Sequence, residues 1–245
     1  MKKASMKYLI YREFMMIFNF LISNIIIVLA FDIMCILVPL SFKYGNLALI
    51  DDNIINEVRG DAYRMMLLIP CVMSCIPLMT FSDSMMREET SKWKIFRRST
   101  PVRPWELAAA KYITISIMLV FSAVLCFSYT AVFTSITDTD FSIDTIATIS
   151  IFFFLSLAFS IAMQVTILAF RSTDKGAMVV MGFFGSIGIL YFVISKITKI
   201  ELPEINEELF QNICNTLLPF APFILIFILA AGFIITALLY KRSEK

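Results

Sequence analysis

Six stretches of this chain are each about 20 residues or longer and predominantly apolar, the length a helix needs to cross a bilayer. They run approximately over 17–42, 63–82, 112–136, 143–170, 177–195 and 217–240. The runs are continuous rather than alternating, which reads as helix and not strand. In hydrocarbon every backbone N–H and C=O must be satisfied within the protein, so the expected fold is all-α. The chain reads as one polytopic transmembrane domain over 1–245 with six membrane helices. Composition agrees: 59% of residues are hydrophobic and 16% are charged, with a mean hydropathy of +0.84. Too little polar surface is available for a water-exposed ball, and too much apolar surface for a chain that stays unfolded.

Several function classes fall away on the same grounds. A net charge of +2 argues against a dedicated nucleic-acid binder. The chain has no histidine, which removes the commonest general base, metal ligand and pH switch. Cys35, Cys71, Cys75, Cys126 and Cys214 form no CxxC, and four of them lie in strongly apolar runs. They read as small hydrophobic filler, so neither a metal site nor a catalytic residue is expected. The first apolar run is too long for a cleaved signal peptide and no A-x-A site follows it.

The polar segments set the orientation. With the N-terminus inside, 16 of the 21 basic residues fall on the inner side and five on the outer side. That bias follows the positive-inside rule and places both termini in the cytosol. Residues 5–16 read as a short interfacial helix, with Met6, Leu9, Ile10 and Ile17 on one face and Glu13 interrupting it. Residues 202–217 read as an amphipathic helix on the outer surface, with Pro203 suited to its first turn and Pro219 beyond its end.

The inner loop 83–111 is the richest segment. On a helix over 84–98, Met85, Met86, Trp93 and Phe96 share an arc, while Arg87, Ser91, Lys94 and Arg98 gather elsewhere. Glu88 and Lys92 form an i, i+4 pair. Pro101 and Pro104 end the helix, and Glu106 sits in the first turn of the next span, where the helix dipole favours it. The spacing suits either a docking helix for a cytosolic partner or a solvated interfacial loop. The tryptophan and the two prolines favour docking.

Inside the membrane Asp32 is the one acidic residue deep in a span, so it should face protein or a watery cavity. Pro39, Pro70 and Pro77 permit bends in the first two spans, and Pro70 and Pro77 share a face. Gly182, Gly185 and Gly188 make a smooth stripe on the fifth span, suited to close packing or to a pathway wall. The spans lack the several ionisable groups of an ion-coupled transporter, and there is no GxxxxGK[ST]. Any energy must then come from a partner.

Phe81, Asp83, Arg87-Glu88-Glu89, Lys92-Trp93-Lys94, Ser99-Thr100-Pro101-Val102-Arg103-Pro104 and the run from Glu106 to Lys111 resemble the cytosolic segment of ABC-2 type permeases. In that family Gly usually follows the charged pair, whereas Thr90-Ser91 stand here. The resemblance implies a type V exporter-like architecture in a bacterial cytoplasmic membrane, and a permease without its own ATPase site. It implies a second permease protomer, identical or different, and a separate ABC ATPase subunit that binds ATP and Mg. Met85, Met86, Arg87, Glu88, Glu89, Lys92, Trp93 and Phe96 would belong to the coupling helix that docks on this ATPase. The first, second and fifth spans would line the pathway, with Asp32, Pro39, Pro70, Pro77, Gly182 and Gly185 along it. The small size is similar to that of bacterial exporters of phenol-soluble modulins or antimicrobial peptides. Three outcomes stand side by side: export of an amphipathic peptide, export of lipid-like or small hydrophobic molecules, and peptide sequestration by an immunity-type protein without transport.

Overall fold

A computed structural model describes residues 6–44, 52–79, 84, 87–88, 102–137, 143–198, 212 and 215–243. Six long helices and one single-turn helix make up the described fold. They are α1 (Met6–Tyr44), α2 (Asp52–Met73), the short α3 (Ile76–Met79), α4 (Pro104–Thr137), α5 (Ile143–Phe170), α6 (Thr173–Thr198) and α7 (Ala221–Ser243). A 3-10 turn over Leu218–Phe220 leads into α7. Four segments are long and apolar enough to cross a membrane: Met6–Ser41, Pro104–Thr137, Thr145–Phe170 and Asn215–Arg242. A shorter apolar stretch, Met65–Met79, spans the end of α2 and α3.

The expected interfacial segment 5–16 and the first span form one helix of 39 residues. No proline or glycine interrupts it before Pro39, so nothing forces a bend at the membrane surface. At 1.5 Å per residue it extends about 58 Å, roughly twice the hydrocarbon thickness. The second span, by contrast, breaks. Pro77 has no N–H to give to the carbonyl one turn earlier, and the chain turns at Ser74 and Cys75 before α3 resumes. Ser74 N–H still reaches the Pro70 carbonyl at 2.8 Å, but Cys75 N–H shortens to the Val72 carbonyl at 3.0 Å.

The helices alternate in direction. α4 packs on α1, α2, α3 and α7, and α5 packs on α2, α3, α6 and α7. One end of the bundle gathers the start of α1, the start of α4 and the end of α7 around Leu9, Leu107, Ala108, Ala237 and Tyr240. At the opposite end Lys43 Nζ donates to the Ile136 carbonyl at 2.9 Å, joining the ends of α1 and α4. A further core there holds Tyr63, Leu67, Tyr129, Phe133 and Ile149. Large apolar side chains cover much of the outside, with Met178 and Phe227 more than 70% exposed. That inversion of the soluble pattern is what a lipid solvent permits. Several hydroxyl groups on the spans are satisfied locally: Thr114, Thr130 and Thr166 each donate to the carbonyl four residues back.

Candidate functional site

The densest polar arrangement lies at the end shared by the first turns of α1 and α4 and the last turns of α7. Lys111 sits two turns into α4 and is fully buried. Its Nζ donates to Glu13 Oε2 of α1 at 2.8 Å and lies 3.0 Å from Glu88 Oε2. Glu88 also accepts a hydrogen bond from the Tyr240 hydroxyl of α7 at 3.2 Å. Arg12 pairs with Glu13 and stands 3.6 Å from Glu88 Oε1. Two cations and two carboxylates therefore balance within a space sealed by the Leu9–Tyr240 core.

The local sequence explains each placement. Glu13 lies one helical turn from Leu9 and Ile17, so it shares the buried face of α1. Lys111 lies one turn from Leu107 and Ile115 on the buried face of α4. α4 itself is started by Glu106, whose Oε2 accepts from the Arg103 N–H at 3.1 Å. Burying four charges costs several kcal/mol each before pairing, so the cluster holds only while all its members are in place. Chemically it offers no nucleophile and no proton relay to a cleft. Mechanically it ties Glu88, from the segment between the second and third expected spans, to three helices at once.

Glu88, expected in the coupling helix, is buried within this cluster, whereas Arg87 is exposed. Ser84 is buried. Met85, Met86, Glu89, Lys92, Trp93 and Phe96 lie outside the described residues. So does nearly all of the expected outer helix 202–217. Sequence reasoning missed the joint role of Glu13, Arg12 and Tyr240. The signal was present in Glu13, a carboxylate on the apolar face of α1, which requires a cation on whatever helix covers it.

The expected pathway residues are spread across several faces. Asp32 is 6% exposed, within electrostatic range of Cys71 and Tyr129, and its Oδ1 has no hydrogen-bond partner among the described residues. Ser122 Oγ and both amide atoms of Gln164 are likewise buried and unpartnered among those residues. Pro39, Pro70 and Pro77 are buried. Among the described residues, a methyl group added at Gly182 or Gly185 would meet nothing within 4 Å, so no close packing of the glycine stripe is seen at those two positions. The close approaches fall at other glycines: a methyl at Gly176 would stand 2.8 Å from the Ile167 backbone nitrogen. Among the described residues no group of three or more His, Cys, Asp or Glu side chains could hold a metal ion.

A bundle with four span-length apolar helices and a buried ion cluster at one end fits a membrane transport subunit. The sequence model described as ABC-2 family transporter protein matches residues 58–241. The chain belongs to the ABC-2 transporter family. It is thus the membrane permease component of an ABC-2 transporter, in a family whose membrane domain lacks an ATPase domain and generally works with an ATPase partner. Comparisons with curated proteins and with solved structures gave no match.

Proposed function

We propose that this ABC-2 permease is half of an ATP-driven exporter that moves an amphipathic substrate, an amphipathic peptide above all, out of a bacterial cell. In this reading both termini are cytosolic and α2–α3 and α6 complete six spans. A second protomer faces the first, and a separate ATPase seats beneath residues 84–98. The observation that carries the reading is the grip of Lys111 and Tyr240 on Glu88. A displacement of the segment that holds Glu88 is then passed to the ends of α1, α4 and α7 together, without waiting for a flexible loop to tighten.

The substrate class follows from what the spans contain. Apolar spans with one deep carboxylate, Asp32, suit a helix that is apolar on one side and cationic on the other. They suit a hydrophilic sugar poorly. The test is reconstitution of the permease with its ATPase in proteoliposomes, followed by accumulation of a fluorescent amphipathic peptide. ATP-dependent movement, with stimulated hydrolysis, is expected. Peptide binding that ignores ATP would overturn transport in favour of sequestration. Docking is tested separately by Trp93→Ala and Arg87→Glu, which should release the ATPase from the purified complex. Glu88 is unsuitable for that test, because its loss would leave Arg12 and Lys111 sharing the one carboxylate of Glu13 in the interior.

A further inference from the structure

Beside the ion cluster, at the same end of the bundle, the turn between α5 and α6 and the last turns of α7 border a cavity of about 170 Å³. Leu168, Ala169, Arg171, Leu239 and Arg242 line it. Neither Arg171 nor Arg242 forms an ion pair or hydrogen bond among the described residues, in contrast to Arg12 nearby. Asp174, the acidic side chain of the first turn of α6, engages neither of them. Arg171 has a backbone φ of 52°, the one positive value at a non-glycine position among the described residues. Glycine would make that turn without steric cost, so the arginine contributes its guanidinium and nothing the turn itself requires.

The surroundings specify the ligand. The cavity lies where α5 and α7 end, at the level of lipid headgroups for helices that cross a bilayer. Leu238 lies one turn before Arg242 on the same helix side and is 53% exposed, and Phe170 beside Arg171 is 49% exposed. Two exposed arginines therefore border one cavity beside exposed apolar side chains. Guanidinium pairs match phosphate oxygens in a fixed fork, and basic pockets between membrane helices take anionic headgroups. We propose that Arg171 and Arg242 form a binding site for the phosphate of an anionic phospholipid, whose acyl chain runs along Leu238 and Phe170. The site requires only the membrane-spanning fold. It is independent of the cargo and of the direction of transport.

The full chain, purified in neutral detergent, is titrated with phosphatidylglycerol and with phosphatidylcholine and read by native mass spectrometry. Phosphatidylglycerol should bind about tenfold more tightly than phosphatidylcholine. The R171G/R242Q variant should lose that preference, while K7Q/K241Q, which removes as much charge from exposed positions outside the cavity, should keep it. Glycine suits the backbone at 171, so the first variant should melt no lower than the parent. Should it nevertheless fail to fold, R171K/R242K keeps the charge and loses the fork, and an intermediate preference is expected from it. Equal loss in both charge-removing variants would overturn the site in favour of diffuse attraction. Displacement of the lipid by inorganic phosphate at equal concentration would overturn the lipid assignment. So would unchanged lipid binding together with loss of a co-purifying protein, which would assign the arginines to a protein surface.

Discussion

Glu13, Glu88 and Lys111 are buried and Arg12 is half-buried at one end of the bundle, bound to one another. Asp32, Ser122 and Gln164 are buried within the spans, each with a polar atom that has no hydrogen-bond partner among the described residues. The first set carries the larger desolvation cost and offsets it by ion pairs between helices, whereas no ion pair reaches the second set among the described residues. A closed ion cluster defines one arrangement of its helices and resists any other, as a mechanical joint must. Polar atoms left open within the spans commit the helices to no single arrangement. They suit a surface that changes partners as a pathway switches. In the proposed exporter the ion-paired end transmits force and the span interior accepts change.

The sharpest way to break this contrast is Lys111→Met. It leaves Glu13 and Glu88 buried against too little positive charge and should cost about 3–5 kcal/mol, read as a lower melting temperature of the purified chain in detergent. Adding Glu13→Gln should recover part of that loss, because it removes one of the stranded charges. If Lys111→Met melts like the parent, the cluster is no joint.

Next in size is a pair of glycine substitutions. Gly176→Ala drives a methyl against the Ile167 backbone and should destabilise by about 1–3 kcal/mol. Gly182→Ala meets open space and should leave melting unchanged or slightly raised, since alanine is the better helix former. Equal effects would show that the stripe on α6 is packed rather than open. Tyr240→Phe removes one hydrogen bond to a carboxylate and should cost about 1.5 kcal/mol, again by melting. Asp32→Asn should also have a small effect on stability, within about 1 kcal/mol of the parent. Peptide efflux should nevertheless fall several-fold in that variant. A variant that melts far lower with normal efflux would make Asp32 part of the scaffold and erase the contrast.

Much of the scaffold was legible in the sequence. Four long apolar helices, Met6–Ser41, Pro104–Thr137, Thr145–Phe170 and Asn215–Arg242, are span candidates, because a window of about 20 apolar residues is a local property that a bilayer enforces wherever it occurs. Pro77 announced the break between α2 and α3, and Glu106 the start of α4, for equally local reasons. The first span was less legible. A charge at Glu13 and a basic start suggested a separate surface helix, yet without Pro or Gly the helix simply continues.

What the sequence determined by itself, then, was that the chain is helical, that it lives in lipid, and roughly where each long helix starts and stops. Those outcomes depend on residues within one or two turns of each other. The tertiary structure alone decided that Glu13 meets Lys111 across 98 positions, that Glu88 turns inward, and that Arg171 and Arg242 border one cavity. An ion pair or a shared cavity depends on which faces of distant helices come together, and the hydropathy of α1, α4, α5 and α7, nearly uniform around each circumference, carries no record of that choice.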